Sequence, residues 1–198
     1  HVGPMTRSVN DAAMMMNAIS QPDNRDWFSL PYDDVDYAYR PKRKLKGLRV
    51  AYSATLGYAE VDPEIAALVK QAVAVLQKLG AEVTEIDPGF EDPAPIFKTL
   101  WWSGARSALG ALKKKKKALL DPMLADVVEQ AASITVEELM NANKARGALG
   151  THMRLFMQDF DVLVTPSLPI PAFGAGRLQP DNADTQGKWV NWTPFTYP

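Results

Sequence analysis

A chain of 198 residues with 46% hydrophobic and 23% charged side chains can bury a real core, as one substantial domain or two small ones. Lys and Arg number 22 against 23 Asp and Glu, so no global field draws the chain to nucleic acid or to an anionic membrane. The absence of cysteine excludes disulfides, thiolate nucleophiles and cysteine-held metals, and no apolar run approaches the roughly 18 residues of a membrane span. These features predict a soluble, cytoplasmic protein.

The chain opens His1-Val2-Gly3-Pro4-Met5-Thr6-Arg7-Ser8-Val9-Asn10-Asp11-Ala12-Ala13. Gly3-Pro4 is a turn dipeptide. Ser8 is an N-cap residue, and Asp11 favours the positive end of the helix that follows. Val9, Ala12, Ala13, Met16 and Ile19 recur at a period near 3.6, which predicts a helix over 9–19. Met14, Met15 and Met16 read as core filler rather than a soft-metal surface, because consecutive helix positions point apart. Residues 21–46 read as a long connection, with Trp27, Phe28, Pro31 and Tyr32 expected to anchor it. Asp33, Asp34 and Asp36 lack the glycine and terminal glutamate of a calcium loop, so a solvated loop and no metal are expected. The basic stretch at 40–46 reads as a solvated linker.

A strand at 48–52, a helix opened by Asp62-Pro63-Glu64 and closed by Gly80, and an alternating strand at 81–86 form a strand–helix–strand unit with parallel pairing. The predicted buried stripe of the helix is Ile65, Leu68, Val69, Ala72, Val75, Leu76 and Leu79. Gly57 follows a strand, but neither Gly-x-Gly-x-x-Gly nor Gly-Lys-Ser/Thr is present, so no cofactor is expected. From 93 to 160 the chain reads as mostly helical. Ile96, Leu100, Trp101, Gly104, Ala108 and Leu112 mark one helix, and the five lysines at 113–117 interrupt it as a solvated helix end or loop. Asp121-Pro122 starts a helix to about 132. Thr135-Val136-Glu137-Glu138 is a capping box opening a long helix towards Asp159, which carries Arg146 and Arg154. The lone His152 reads as structural.

Asp161 to Thr165 forms an apolar strand expected at the centre of a sheet, and Pro166, Pro169 and Pro171 force an extended loop off its end. Loops in that position build ligand sites in open α/β sheets. Trp189, Trp192, Phe195 and Tyr197 form a closing aromatic run that suits core or pocket wall. The start on His1 and the stop on Thr196-Tyr197-Pro198 read as a single incomplete domain, 1–198, of a longer protein.

The opening segment, the strand Asp161-Val162-Leu163-Val164-Thr165-Pro166-Ser167 and the closing Phe195-Thr196-Tyr197-Pro198 resemble, in order and spacing, the C-terminal half of the amidase signature family. The resemblance implies an α/β fold, with a mixed or parallel sheet covered by helices. It also implies amide hydrolysis by a Ser–cis-Ser–Lys triad, in which a lysine deprotonates a bridging serine that activates the nucleophile. The glycine- and serine-rich segments of that triad are absent from the 198 residues. Ser8 is a cap, and Ser20, Ser29, Ser53, Ser103, Ser107, Ser133 and Ser167 lack a glycine-rich elbow. No catalytic residue is therefore carried over, and the chain alone is expected to be inert.

Within the family, the A subunit of the glutamyl/aspartyl-tRNA amidotransferase carries an Arg-Tyr-Asp-Gly-x-Arg-Tyr-Gly stretch that this chain lacks. Thr193 stands where that branch has a substrate-binding aspartate. Both departures favour a general amidase. Trp192, Thr193 and Phe195 are then the expected substrate-binding residues, facing an apolar or aryl amide. The partners implied are that small amide and the missing N-terminal half, without nucleic acid or membrane, and an oligomer is compatible. A non-catalytic α/β binding module is the reading outside the enzyme class.

Overall fold

The computed structural model describes residues 3–32, 34–38, 45–177, 179–180 and 192–198. Expectations that fall on His1, Val2, Asp33, residues 40–44 and Trp189 lie outside the described residues. The chain falls into two compact units, His1–Lys44 and Leu45–Pro198.

The first unit is built on helix α1 (Val9–Ile19). Ser8 caps it as expected, its hydroxyl accepting from the Asp11 N–H at 3.1 Å. The described part of the connection after α1 forms no regular element and folds back on Asn17. The Asn17 side-chain amide donates to Asp36 at 2.7 Å, and its oxygen accepts from the Tyr37 N–H at 2.8 Å. Two expectations fail here. Met14 and Met15 are exposed rather than core, and Trp27, Phe28 and Tyr32 are exposed rather than anchors, Trp27 to 88%. The physical reason is size: a unit this short buries little of its own apolar surface.

The second unit carries a three-stranded parallel sheet in the order β2-β1-β3, formed by β1 (Arg49–Tyr52), β2 (Glu82–Glu85) and β3 (Val162–Val164). The sequence placed the apolar 161–165 strand at the centre. In the described sheet that place belongs to β1, whose Val50, Ala51 and Tyr52 are all buried, and β3 lies at an edge with Val162 exposed. Arg49 ties the starts of β1 and β3 together. Its guanidinium meets the Asp161 carboxylate at 2.9 Å, and its backbone N–H donates to the same carboxylate at 2.8 Å.

These hydrogen bonds hold the Asp161 carboxyl below its usual range, the Arg49 side chain contributing most. A depressed folded value means the stabilisation is present above the unfolded carboxylate value, about 3.9, and is lost as pH falls through the folded one. Urea midpoints followed from roughly pH 5 to 2 should therefore fall less steeply in Asp161→Asn than in the parent. Parallel acid limbs would show that the pair does not contribute.

Helix α2 (Pro63–Lys78) begins where Asp62 accepts from the Glu64 N–H at 2.8 Å. It ends in a Schellman motif: the Gly80 N–H donates to Gln77 and the Ala81 N–H to Leu76, with Gly80 at φ +100°. Its expected buried stripe merges two faces. Val73 is buried and Ile65, Val69 and Leu76 are half-buried, whereas Leu68, Ala72, Val75 and Leu79 are exposed. Leucine and valine at 3- and 4-residue spacings occur on both sides of this helix, so periodicity alone cannot choose between them.

The helical layer comprises α3 (Ala94–Leu109), the single turn α4 (Lys114–Lys117), α5 (Pro122–Gln130) with a 3₁₀ turn at Ala131–Ser133, and α6 (Val136–Phe156). Asp121 caps α5, and Thr135 with Glu138 form the expected capping box on α6. Helix α3 packs against both α5 and α6. The lysine run, expected as a loop or helix end, forms a turn of its own after Gly110 caps α3.

Candidate functional site

The loops leaving the carboxyl ends of β1 and β2 converge with the closing segment 192–198 on one face of α3 and α6. After β1 the chain turns sharply through Ser53. Its hydroxyl, 1% exposed, donates to Asp87 in the loop after β2 at 2.6 Å and accepts from the Leu56 N–H at 2.8 Å. Leu56 follows at φ +55° and Gly57 at φ +86°. The turn delivers Tyr58, whose hydroxyl donates to the Pro194 carbonyl at 2.7 Å, while its ring lies 5.9 Å from Phe90. The proline-rich loop after β3 joins the same end, its Pro169 carbonyl accepting from the Asp62 N–H at 2.8 Å.

A cavity of about 620 Å³ opens between α3, α6 and the chain end. Its wall is aromatic: Phe97 stacks between Trp101, at 6.3 Å, and Tyr197, at 5.3 Å. Leu149 and Met153 line it from α6, and Arg146 brings a cation to the same wall. The Tyr197 hydroxyl donates to Asp92 at 3.0 Å, which fastens the closing segment to the start of α3. Burial pushes the Tyr58 and Tyr197 phenols well above their usual value, and the Asp92 carboxylate pushes the same way, so both stay protonated donors. A second cavity, of about 560 Å³, shares Pro93, Ile96 and Leu149 with the first and reaches His152. The His152 Nε2 lies 2.7 Å from the Pro88 carbonyl, so it carries a proton and donates there, and Phe90 meets the ring edge-on.

Of the expected substrate-binding residues, Trp192 packs edge-on against Phe173 at 5.2 Å. Its indole N–H is buried with no acceptor among the described residues. The Thr193 carbonyl accepts from the Thr196 N–H at 3.0 Å, and Phe195 is half-buried. None of these three lines the two cavities described; from the same segment, Tyr197 and Pro198 line the first. Phe97 and Arg146 were missed as wall residues, because nothing in the sequence couples α3 to α6 and to the chain end. Among the described residues no group of His, Cys, Asp or Glu could hold a metal ion, and no helix is long and apolar enough to cross a membrane.

A model of the amidase family matches residues 1–198. The chain is 33% identical to an acylamidase of Rhodococcus erythropolis over 99% of its own length and 42% of that protein's. The chain belongs to the amidase signature family. A second amidase-signature relative is the A subunit of the glutamyl-tRNA(Gln) amidotransferase of Heliobacterium modesticaldum, 28% identical over 88% of this chain and 41% of that one. The fold matches a bacterial aryl acylamidase of the same family with a TM-score of 0.75 at 22% identity, covering 85% of this chain and 36% of that one. The chain thus spans less than half the length of the amidase-signature proteins it matches.

Proposed function

We propose that this chain supplies the acyl- or aryl-binding side of a cytoplasmic general amidase. The serine nucleophile, bridging serine and lysine then belong to a part of the protein outside these 198 residues. The observation that carries the reading is the Trp101–Phe97–Tyr197 stack on the wall of the 620 Å³ cavity. A flat, apolar amide gains offset stacking and burial against such a wall. From the closing segment it is Tyr197, rather than Trp192, Thr193 or Phe195, that supplies the aromatic face of this cavity. The similarity to an acylamidase supports this branch. The amidotransferase reading rests on relatives such as the Heliobacterium protein, and the missing Arg-Tyr-Asp-Gly stretch speaks against it.

In the intact enzyme, Phe97→Ala should lower kcat/KM for an anilide by about tenfold, chiefly through KM, and change turnover of a short aliphatic amide much less. Equal losses on both substrates would remove the cavity from the binding site. Turnover of glutamine but not of anilides by the parent enzyme would overturn the general-amidase assignment.

A further inference from the structure

The lysines at 113–117 take no part in the amide-binding cavity. Four of them form α4, and this gathers charges that an extended strand would spread over about 14 Å into a rise of about 6 Å. Lys113, Lys114, Lys115 and Lys116 are exposed and form no ion pair among the described residues, whereas Lys117 meets Glu129 at 3.2 Å. The nearby Asp121 is occupied as the cap of α5, accepting from the Met123 and Leu124 N–H groups. A local excess of cations therefore stands on a chain whose overall charge is balanced. Leu119 follows the turn with 85% of its surface exposed, while Leu112 and Leu120 on either side of the run are half-buried.

The sequence alone favours a solvated run. The structure changes that reading by placing an exposed leucine against a compact cationic turn. No aromatic side chain is interleaved in this stretch, so it lacks the stacking platform that single-stranded nucleic acid uses. A basic cluster with an aliphatic side chain beside it fits the boundary between anionic headgroups and acyl chains. We propose that the turn at 113–119 docks the protein reversibly on an anionic phospholipid surface, with Lys113 to Lys116 on the headgroups and Leu119 entering the interface.

The test is co-sedimentation of the intact protein with vesicles of phosphatidylcholine alone and of phosphatidylcholine mixed with phosphatidylserine. Partitioning onto the mixed vesicles at low salt, and its loss on raising salt to about 1 M, is expected. Each lysine is worth about fivefold, so replacing Lys113, Lys114, Lys115 and Lys116 by Gln should reduce partitioning by roughly several hundredfold. Leu119→Ser should reduce it a further few-fold at unchanged charge. Lys70→Gln with Lys78→Gln, on α2, should leave it unchanged. Unaltered thermal melts keep loss of fold from mimicking the effect. Equal partitioning onto neutral vesicles, no partitioning at all, or insensitivity to the four-lysine variant would overturn the proposal. So would tighter binding to single-stranded RNA that ignores Leu119→Ser.

Discussion

Val50→Asp is expected to abolish the cooperative unfolding transition of the protein, or to leave it insoluble. Val50 is 0% exposed on the central strand, with Val83 and Val162 opposite it in the two parallel ladders. A carboxylate there has no cation to meet: the nearest strand arginine, Arg49, faces outward and is held by Asp161. Burying an unpaired charge costs more than about 4 kcal/mol, a large part of the stability of an ordinary domain. Val50→Ala separates charge from lost packing, and should cost about 2 kcal/mol for the removed methyl groups and the void they leave. Chemical denaturation of both variants provides the measurement. A Val50→Asp protein that melts with a midpoint near the parent's would show that β1 is not the core strand.

The second large effect is expected from Ser53→Ala. This hydroxyl serves two groups at once: Asp87, to which it donates, and the Leu56 N–H, from which it accepts. Leu56 is 4% exposed and already sits at positive φ, so water cannot readily replace the lost acceptor. An orphaned buried N–H together with a released backbone turn should destabilise by about 2–3 kcal/mol. The expected readings are a lower denaturant midpoint with unchanged slope and faster amide exchange at Leu56. The same turn carries Tyr58 to Pro194, so the closing segment should exchange faster too. Loss of protection confined to the Ser53 turn would show that the two are uncoupled.

The helix starts were the most legible features, because a cap is a local event. Ser8, Asp62, Asp121 and Thr135 each accept the hydrogen bonds that their spacing implied. The parallel β1–β2 pair was legible for a similar reason, both strands flanking one helix within 40 residues. The face of α2 was not, since apolar residues occupy both its sides. Strand centrality was not legible either: an apolar run shows that a strand can be buried, and which strand is central depends on long-range pairing. The cavity was least visible. Phe97, Arg146 and Tyr197 come from three elements separated by roughly fifty residues each, and no local pattern links them.

The pairing of β1 with β3 has a consequence for synthesis. Ala51 lies beside Leu163, so one edge of the central strand has no β3 to pair with until more than a hundred further residues have been made. At about 5–20 residues per second, that interval lasts several seconds or more. Once β2 has been made, β1 can pair with it on one side while the other still offers an open ladder of Val-Ala-Tyr backbone. The nascent protein is thus most vulnerable to strand exchange and aggregation while the helical layer is being translated. Slow codons between 86 and 161 would lengthen that exposure, and a trigger-type chaperone acting there would shorten it.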